Sequence, residues 1–348
     1  MRYEEWTASY TQKARGEIEK MKIQNKNKTV TAIMTSLMIG LVMLSPTTII
    51  PNVNALTDGP EPNEVAEWRA SHPNFFGCVH TDLKTHISKE VTCLHPELKP
   101  SGSPHGNSKL SPSGDFTYTV SNLDCQNSSY NDNCWVGGEF SDNGPYNQIL
   151  ANTQIGSVPS NIPTKFGYWA GLTNCYFGHC PTADLLVQSG WQYTTGGGTT
   201  PQMFTEIVGH FSYNGVNCFT GYCGTVDNKH THDNLYTSNY GRSGSWVAYV
   251  QDNSDSTSNF IMVPFSTAGV SNSVPYAITS MEATNVPNKT FFPASPVSLT
   301  SVTLYAYGVG QVSTNTNLMA SYVGPTTGSI SVTYTATGTP TATITNSY

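Results

Sequence analysis

The chain has 348 residues, of which 11% are charged and 37% hydrophobic, with 16 basic against 23 acidic side chains. That length allows one large domain or two small ones. The acidic balance excludes partners gripped through clustered Lys and Arg, so nucleic acid and anionic membrane surfaces are set aside.

The first element is a targeting segment. Lys22, Lys26 and Lys28 precede an apolar run from Val30 to Leu44. Pro46 follows, and Val53-Asn54-Ala55 puts small residues at the two positions a signal peptidase reads. Residues 1–55 are therefore expected to be a signal peptide, preceded by an upstream extension if Met21 is not the start. Export would leave a mature chain beginning at Leu56, secreted or held at the cell surface. The competing reading is an uncleaved anchor, because Thr29 to Ile50 nearly spans a bilayer. Only that uncleaved signal would tie the chain to a membrane.

Beyond Ala55 the chain keeps 9 basic and 19 acidic residues, a formal charge of −10. Hydroxyls and amides carry its solubility instead. Few carboxylate partnerships exist for acid to break, which predicts tolerance of low pH.

Residues 56–115 hold five of the nine histidines. A short helix is predicted from Asn63 to Ala70, ended ahead of His72-Pro73. The Pro-, Ser- and Gly-rich stretch from Lys99 to Gly114 reads as a linker. This region is a His-containing propeptide, a disulfide-closed cap, or part of the main fold.

All eight cysteines follow Ala55, as four local couples: Cys78 with Cys93, Cys125 with Cys134, Cys175 with Cys180, and Cys218 with Cys223. An even number in an exported chain favours disulfides, and adjacent pairing is the simplest connectivity. The first couple has a rival reading. Cys78-Val79-His80 and Cys93-Leu94-His95 repeat a Cys-x-His unit around His86, a donor set that zinc accepts. The oxidising compartment favours the disulfide, and His230-Thr231-His232-Asp233 reads as a polar loop. No metal and no organic cofactor is expected.

From residue 116 to 348 short strands alternate with turns. Trp246, Ala248 and Val250, then Val302, Leu304 and Ala306, then Ile330, Val332, Tyr334 and Ala336 each repeat with period two. No helical period persists, so an all-β domain is predicted, a two-sheet antiparallel sandwich or jelly roll. Gly196-Gly197-Gly198 lacks the following helix and Lys of a phosphate loop and reads as a hairpin tip.

No Gly-x-Ser-x-Gly elbow is present, and paired cysteines leave no thiol nucleophile. Carboxylates remain. Glu206 falls inside Met203-Phe204-Thr205-Glu206-Ile207-Val208, in phase with Phe204 and Val208. Glu282 is in phase with Tyr276, Ile278 and Ser280, and Gln188 ends Leu185-Leu186-Val187-Gln188. A polar group among apolar ones is paired, functional, or turned to the solvated face of its sheet.

At these residues the chain resembles the eqolisins, the glutamic peptidases. The likeness runs from Trp135-Val136-Gly137-Gly138 through Tyr168-Trp169-Ala170-Gly171-Leu172 and Asp184-Leu185-Leu186-Val187-Gln188-Ser189-Gly190. It continues through Glu206 to Ala277–Glu282, covering roughly Trp135 to Tyr334. Two departures stand out. Phe204, Thr205, Ile207 and Val208 replace the family's flanking Trp and Tyr, and the glycine-rich turn replaces its acidic residues. The resemblance implies a concanavalin A-like sandwich that hydrolyses polypeptides without a cofactor. It also implies that Gln188 and Glu282 are catalytic, that Trp135 and Trp169 line the substrate groove, and that Glu206 is a supporting acid there. The alternative is a catalytically silent sandwich binding carbohydrate or protein at the cell surface, with Tyr305 and Tyr307 on one strand face. Convergence of Gln188 and Glu282 in one cleft separates the two.

Overall fold

The computed structural model describes residues 58–94, 106–110, 116–121, 134–140, 144–156, 165–174, 184–194, 200–218, 223–284, 298–312, 318–323, 329–335 and 341–347. The segment 1–55 and the Gly196–Gly198 tip lie outside them.

In chain order the first strands are β1 (Gly77–Asp82), β2 (Ile87–Val91), β3 (Gly106–Leu110), β4 (Phe116–Ser121), β5 (Cys134–Phe140), β6 (Tyr146–Gln154) and β7 (Lys165–Thr173). Next come β8 (Leu185–Thr194), β9 (Gln202–Gly209), β10 (Ser212–Tyr213), β11 (Val216–Asn217), β12 (Cys223–Asn228), β13 (Asn234–Arg242), β14 (Ser245–Asp252) and β15 (Thr257–Pro264). The last are β16 (Tyr276–Thr284), β17 (Ser298–Ala306), β18 (Gly310–Val312), β19 (Leu318–Val323), β20 (Ser329–Thr335) and β21 (Thr341–Ser347). Two helices are described, α1 (Asn63–Ser71) and α2 (Phe265–Ala268).

The larger sheet has the order β2-β1-β15-β14-β13-β6-β17-β21-β20-β4, with β18 added on β17. The second runs β12-β9-β8-β7-β16-β5-β19-β3. Neighbours pair antiparallel, so the fold is the antiparallel sandwich that the strand pattern predicts.

Side-chain alternation welds the two sheets. On β14, Trp246, Ala248 and Val250 face a shared core with Val187 and Trp191 of β8 and Met203 and Ile207 of β9. The intervening Val247 and Tyr249 face outward, beside Tyr240, Phe260 and Met262. Helix α1 covers that outer face, seating Val65 among these side chains. Burying a Val or Phe side chain is worth about 1.5–3 kcal/mol, so the helix is held by packing rather than by its own propensity.

Residues 58–94 are built into the larger sheet. Strand β1 pairs with β15 from Gly77↔Met262 to Asp82↔Thr257. Ahead of α1, residues 58–61 form a strap. Arg242 donates to the Gly59 carbonyl, and its Nε lies 3.4 Å from the Asp58 carboxylate. Asn147 Nδ2 donates to Asp58 Oδ1 (2.7 Å), Gln148 Nε2 to the Pro60 carbonyl (2.7 Å) and the Tyr240 hydroxyl to Glu61 Oε1 (3.1 Å). The stretch expected to be a linker also differs, because its residues 106–110 form β3 and pair with β19. Polar residues serve equally in a linker and in an edge strand, which needs backbone partners more than a buried face.

Two of the four expected disulfides are formed among the described residues, Cys78–Cys93 and Cys218–Cys223. The other two couples, Cys125 with Cys134 and Cys175 with Cys180, fall elsewhere: Cys125, Cys175 and Cys180 lie outside the described residues, as does the side chain of Cys134. With both sulfurs bonded to each other, Cys78 and Cys93 are not thiolate ligands for zinc. The chain after β2 then crosses to the second sheet. The Leu94 N–H donates to the Gly224 carbonyl (2.8 Å), and the Gly224 N–H donates to the Leu94 carbonyl (3.2 Å). Among the described residues no helix is long and apolar enough to cross a membrane.

Candidate active site

The second sheet turns one face to the shared core and the other away from it. On the face turned away, antiparallel register sorts the residues into rows that cross the strands. The first row runs Ile278, Gly171, Gln188, Glu206, Gly224 over β16, β7, β8, β9 and β12. The next is Ser280, Trp169, Gly190, Phe204, Val226. The third is Trp135, Glu282, Gly167, Gln192, Gln202, Asn228, beginning on β5. A polar row, an aromatic row and a second polar row therefore lie side by side.

Gln188 and Glu206 face each other directly. Both are fully buried, and Gln188 Nε2 donates to Glu206 Oε2 at 2.5 Å. The reading of Glu206 as a strand acid turned to solvent is thereby corrected, because a buried carboxylate needs a partner and the amide of Gln188 supplies one. Gln188 Oε1 is left without a hydrogen-bond partner.

The aromatic row is set by close packing. Trp169 is 2% exposed and packs with Phe204 and Ile278. Gly190 stands opposite Trp169, and a Cβ there would fall 2.1 Å from the Tyr168 carbonyl oxygen and 2.8 Å from Trp169 Cα. Only glycine lets β7 and β8 approach that closely.

Position 282 falls in the third row, opposite Gly167 on β7 and Trp135 on β5. The side chains of Glu282 and Trp135 lie outside the described residues. Positions 188 and 282 are thus two strands apart and four residues offset. At about 4.8 Å per strand and about 3.3 Å per residue, their Cα atoms are about 16 Å apart in a flat sheet. That is too far for direct contact. It is close to what two extended side chains span with one carbonyl group and one water between them.

Sequence reasoning passed over the amides of the third row. Gln192 Nε2 donates to Gln202 Oε1 (3.2 Å), and Gln202 Nε2 donates to Asn228 Oδ1 (3.0 Å). Gln192 is fully buried, and its Oε1 has no hydrogen-bond partner. A signal for them existed. Gln192 follows Gln188 by four residues and Gln202 precedes Glu206 by four, the same phase on each strand.

Charged groups collect at both ends of β8 and β9. Asp184, next to β8, lies 3.0 Å from His210, and burial pushes its carboxyl above the usual range. Beyond β12, Lys229 is ringed by Asp227, Asp252 and Asp255. His230, Asp233 and Asp255 each bring one ligand atom within 4.8 Å of the others. Asp233 Oδ2 accepts the backbone N–H of His230 (2.8 Å), the contact of a polar loop, and Asp255 is engaged by Lys229. Tyr305 and Tyr307 do not share a strand face: Tyr305 is half-buried near Gly59, while Tyr307 stands beyond the end of β17 in an exposed turn.

No protein-family model and no curated protein matches the chain. Among solved structures, tailspike protein 2 of bacteriophage CBA120 matches at 8% identity over 65% of this chain and 34% of its own, with a TM-score of 0.27. SCP-B, a member of the eqolisin family of peptidases in complex with the tripeptide Ala-Ile-His, matches at 14% identity, 66% of this chain, 100% of its own and a TM-score of 0.39. Scytalido-glutamic peptidase with a peptide-based transition state analog is similar at 14% identity over 66% of this chain and 100% of its own, with a TM-score of 0.41.

Proposed function

We propose that this protein is an exported endopeptidase that hydrolyses peptide bonds with a glutamate, a glutamine and an activated water. The observation that carries the reading is the buried Gln188–Glu206 hydrogen bond, on the same sheet face as the row of Glu282. Glu206 fixes the plane of the Gln188 amide. One hydrogen of Nε2 is given to Glu206, and the other is left for a substrate.

In this reading Glu282 takes a proton from water as its oxygen bonds to the peptide carbonyl carbon. The carbonyl electron pair moves onto oxygen, and the free N–H of Gln188 stabilises that charge. The C–N bond then breaks as Glu282 returns the proton to the leaving amine. Trp169 and Trp135 would wall the groove in which an extended polypeptide lies. The two disulfides support an oxidising, extracellular setting.

The test is casein digestion by the purified mature protein and its variants at equal, verified fold content. Glu282→Gln should reduce hydrolysis to background. Gln188→Ala should cost about a hundredfold or more. Glu206→Gln should be milder, because an amide at 206 can still hold Gln188 by rotating its oxygen toward it. Full activity in Glu282→Gln overturns the mechanism.

A further inference from the structure

The third row contains a second buried amide on the same level as Glu282. Asn228, Gln202 and Gln192 form a directional chain, because each donates or accepts through one defined arm of its amide. Gln202 spends its Nε2 on Asn228, so it offers Oε1 to Gln192. Gln192 must then donate through Nε2, and the arm left over is its carbonyl oxygen. That oxygen is an acceptor, buried and without a hydrogen-bond partner. An unpartnered buried acceptor costs about 1–3 kcal/mol, which selection tolerates where the group has a task.

Between Gln192 and position 282 stands only Gly167, directly opposite both. A glycine there leaves the floor between them free of any side chain. Two strand spacings put the two Cα atoms about 10 Å apart, against about 16 Å for Gln188 and Glu282. A span of about 10 Å suits two leaning side chains that share one water, each with a contact of about 2.7 Å.

We propose that Gln192 is a positioning residue for the nucleophilic water, and that Gln202 and Asn228 hold it in the acceptor orientation. This rests on the reading of Glu282 as the base. The water gives one hydrogen to Gln192 Oε1 as a hydrogen bond and the other to Glu282 as a proton. Its lone pair is thereby turned toward the carbonyl carbon. Gln188 and Gln192 divide the work: Gln188 donates to the carbonyl oxygen, and Gln192 accepts from the water.

The experiment is steady-state hydrolysis of an internally quenched peptide by the mature protein, comparing Gln192→Leu, Gln192→Glu, Gln202→Leu and Glu282→Gln at matched near-ultraviolet circular dichroism. Gln192→Leu should lower kcat about a hundredfold, the scale of a misplaced reacting group, while KM stays within about twofold. Gln192→Glu keeps an acceptor of the same length and should recover most of that loss, since Gln202 can turn its amide to donate. Gln202→Leu frees the Gln192 amide to rotate and should lower kcat by about tenfold. A merely structural role would move neither kcat selectively nor respond to the Glu replacement. Wild-type kcat in Gln192→Leu, a loss confined to KM, or no recovery in Gln192→Glu overturns the proposal. If Gln192→Leu does not fold, wild-type kcat in Gln202→Leu overturns it. An active wild type with inactive Glu282→Gln and unaffected Gln192→Leu would sink this role alone. Full activity in Glu282→Gln would sink the parent mechanism and this role with it.

Discussion

The ammonium of Lys229 is nearly buried, its side chain 4% exposed, and it lies 3.3 Å from Asp227, 3.3 Å from Asp255 and 3.6 Å from the wholly buried Asp252. It also donates to Thr257 Oγ1 at 2.9 Å. Replacing it with methionine removes the cation and strands a buried carboxylate. Lys229→Met should therefore lose about 3–5 kcal/mol in urea unfolding at pH 7. Burial alone would lower the Lys229 pKa, but Asp227, Asp252 and Asp255 outweigh it and raise the value above that of a free lysine. A raised cationic value stabilises fully below the unfolded pKa, and that contribution is lost as pH rises through the folded one. Wild-type stability should thus fall above about pH 10.5, and Lys229→Met should lack that fall. Burial likewise raises Asp252, so its contribution is present in acid and lost as pH rises. The cluster therefore does not loosen on mild acidification. At this scale charge made residues legible in the sequence. Glu206 stood out as an acid inside an apolar strand, whereas Gln192 did not, because a neutral amide in a Gln- and Asn-rich chain carries no such contrast.

Among the elements, the crossing from β2 to β12 depends on one disulfide. Cys93 is tied to Cys78 of β1, and the next residue, Leu94, bonds to Gly224 in the row of Gln188 and Glu206. Cys218–Cys223 closes only a short loop beside it, with a sequence separation of 5 against 15. The double replacement Cys78→Ser/Cys93→Ser should cost about 3 kcal/mol, and Cys218→Ser/Cys223→Ser about 2 kcal/mol. Only the first should also speed hydrogen exchange at the Leu94 and Gly224 amides, since it alone frees the crossing segment. The period-two strands were readable because burial enforces them: Trp246, Ala248 and Val250 point into the core as their spacing predicts. Strand β3 was not, since its polar residues carry no such period. The sheet order was not readable either, because register depends on partners far along the chain, such as β1 on β15 and β6 on β17.

Over the whole molecule, the strap formed by residues 58–61 bears on processing. Arg242, Asn147, Gln148 and Tyr240 all bind it, and Arg69 of α1 pairs with Glu61. A cut after Ala55 leaves every one of these contacts in place, so N-terminal sequencing of exported protein should begin at Leu56. A mature chain starting beyond Glu61 would contradict that expectation. The Leu94–Gly224 bridge has a different consequence. Strand β12 closes one end of the second sheet, and an uncovered end strand is a template on which another chain can extend the sheet. Leu94 occupies the N–H and C=O of Gly224, so a second copy finds this edge already taken. The neighbouring edge, β2, carries Lys89 and Glu90 instead, charges that an incoming strand would have to desolvate. A β-rich molecule with very little charge elsewhere is in this way kept from growing into fibres at the ends nearest its N-terminus.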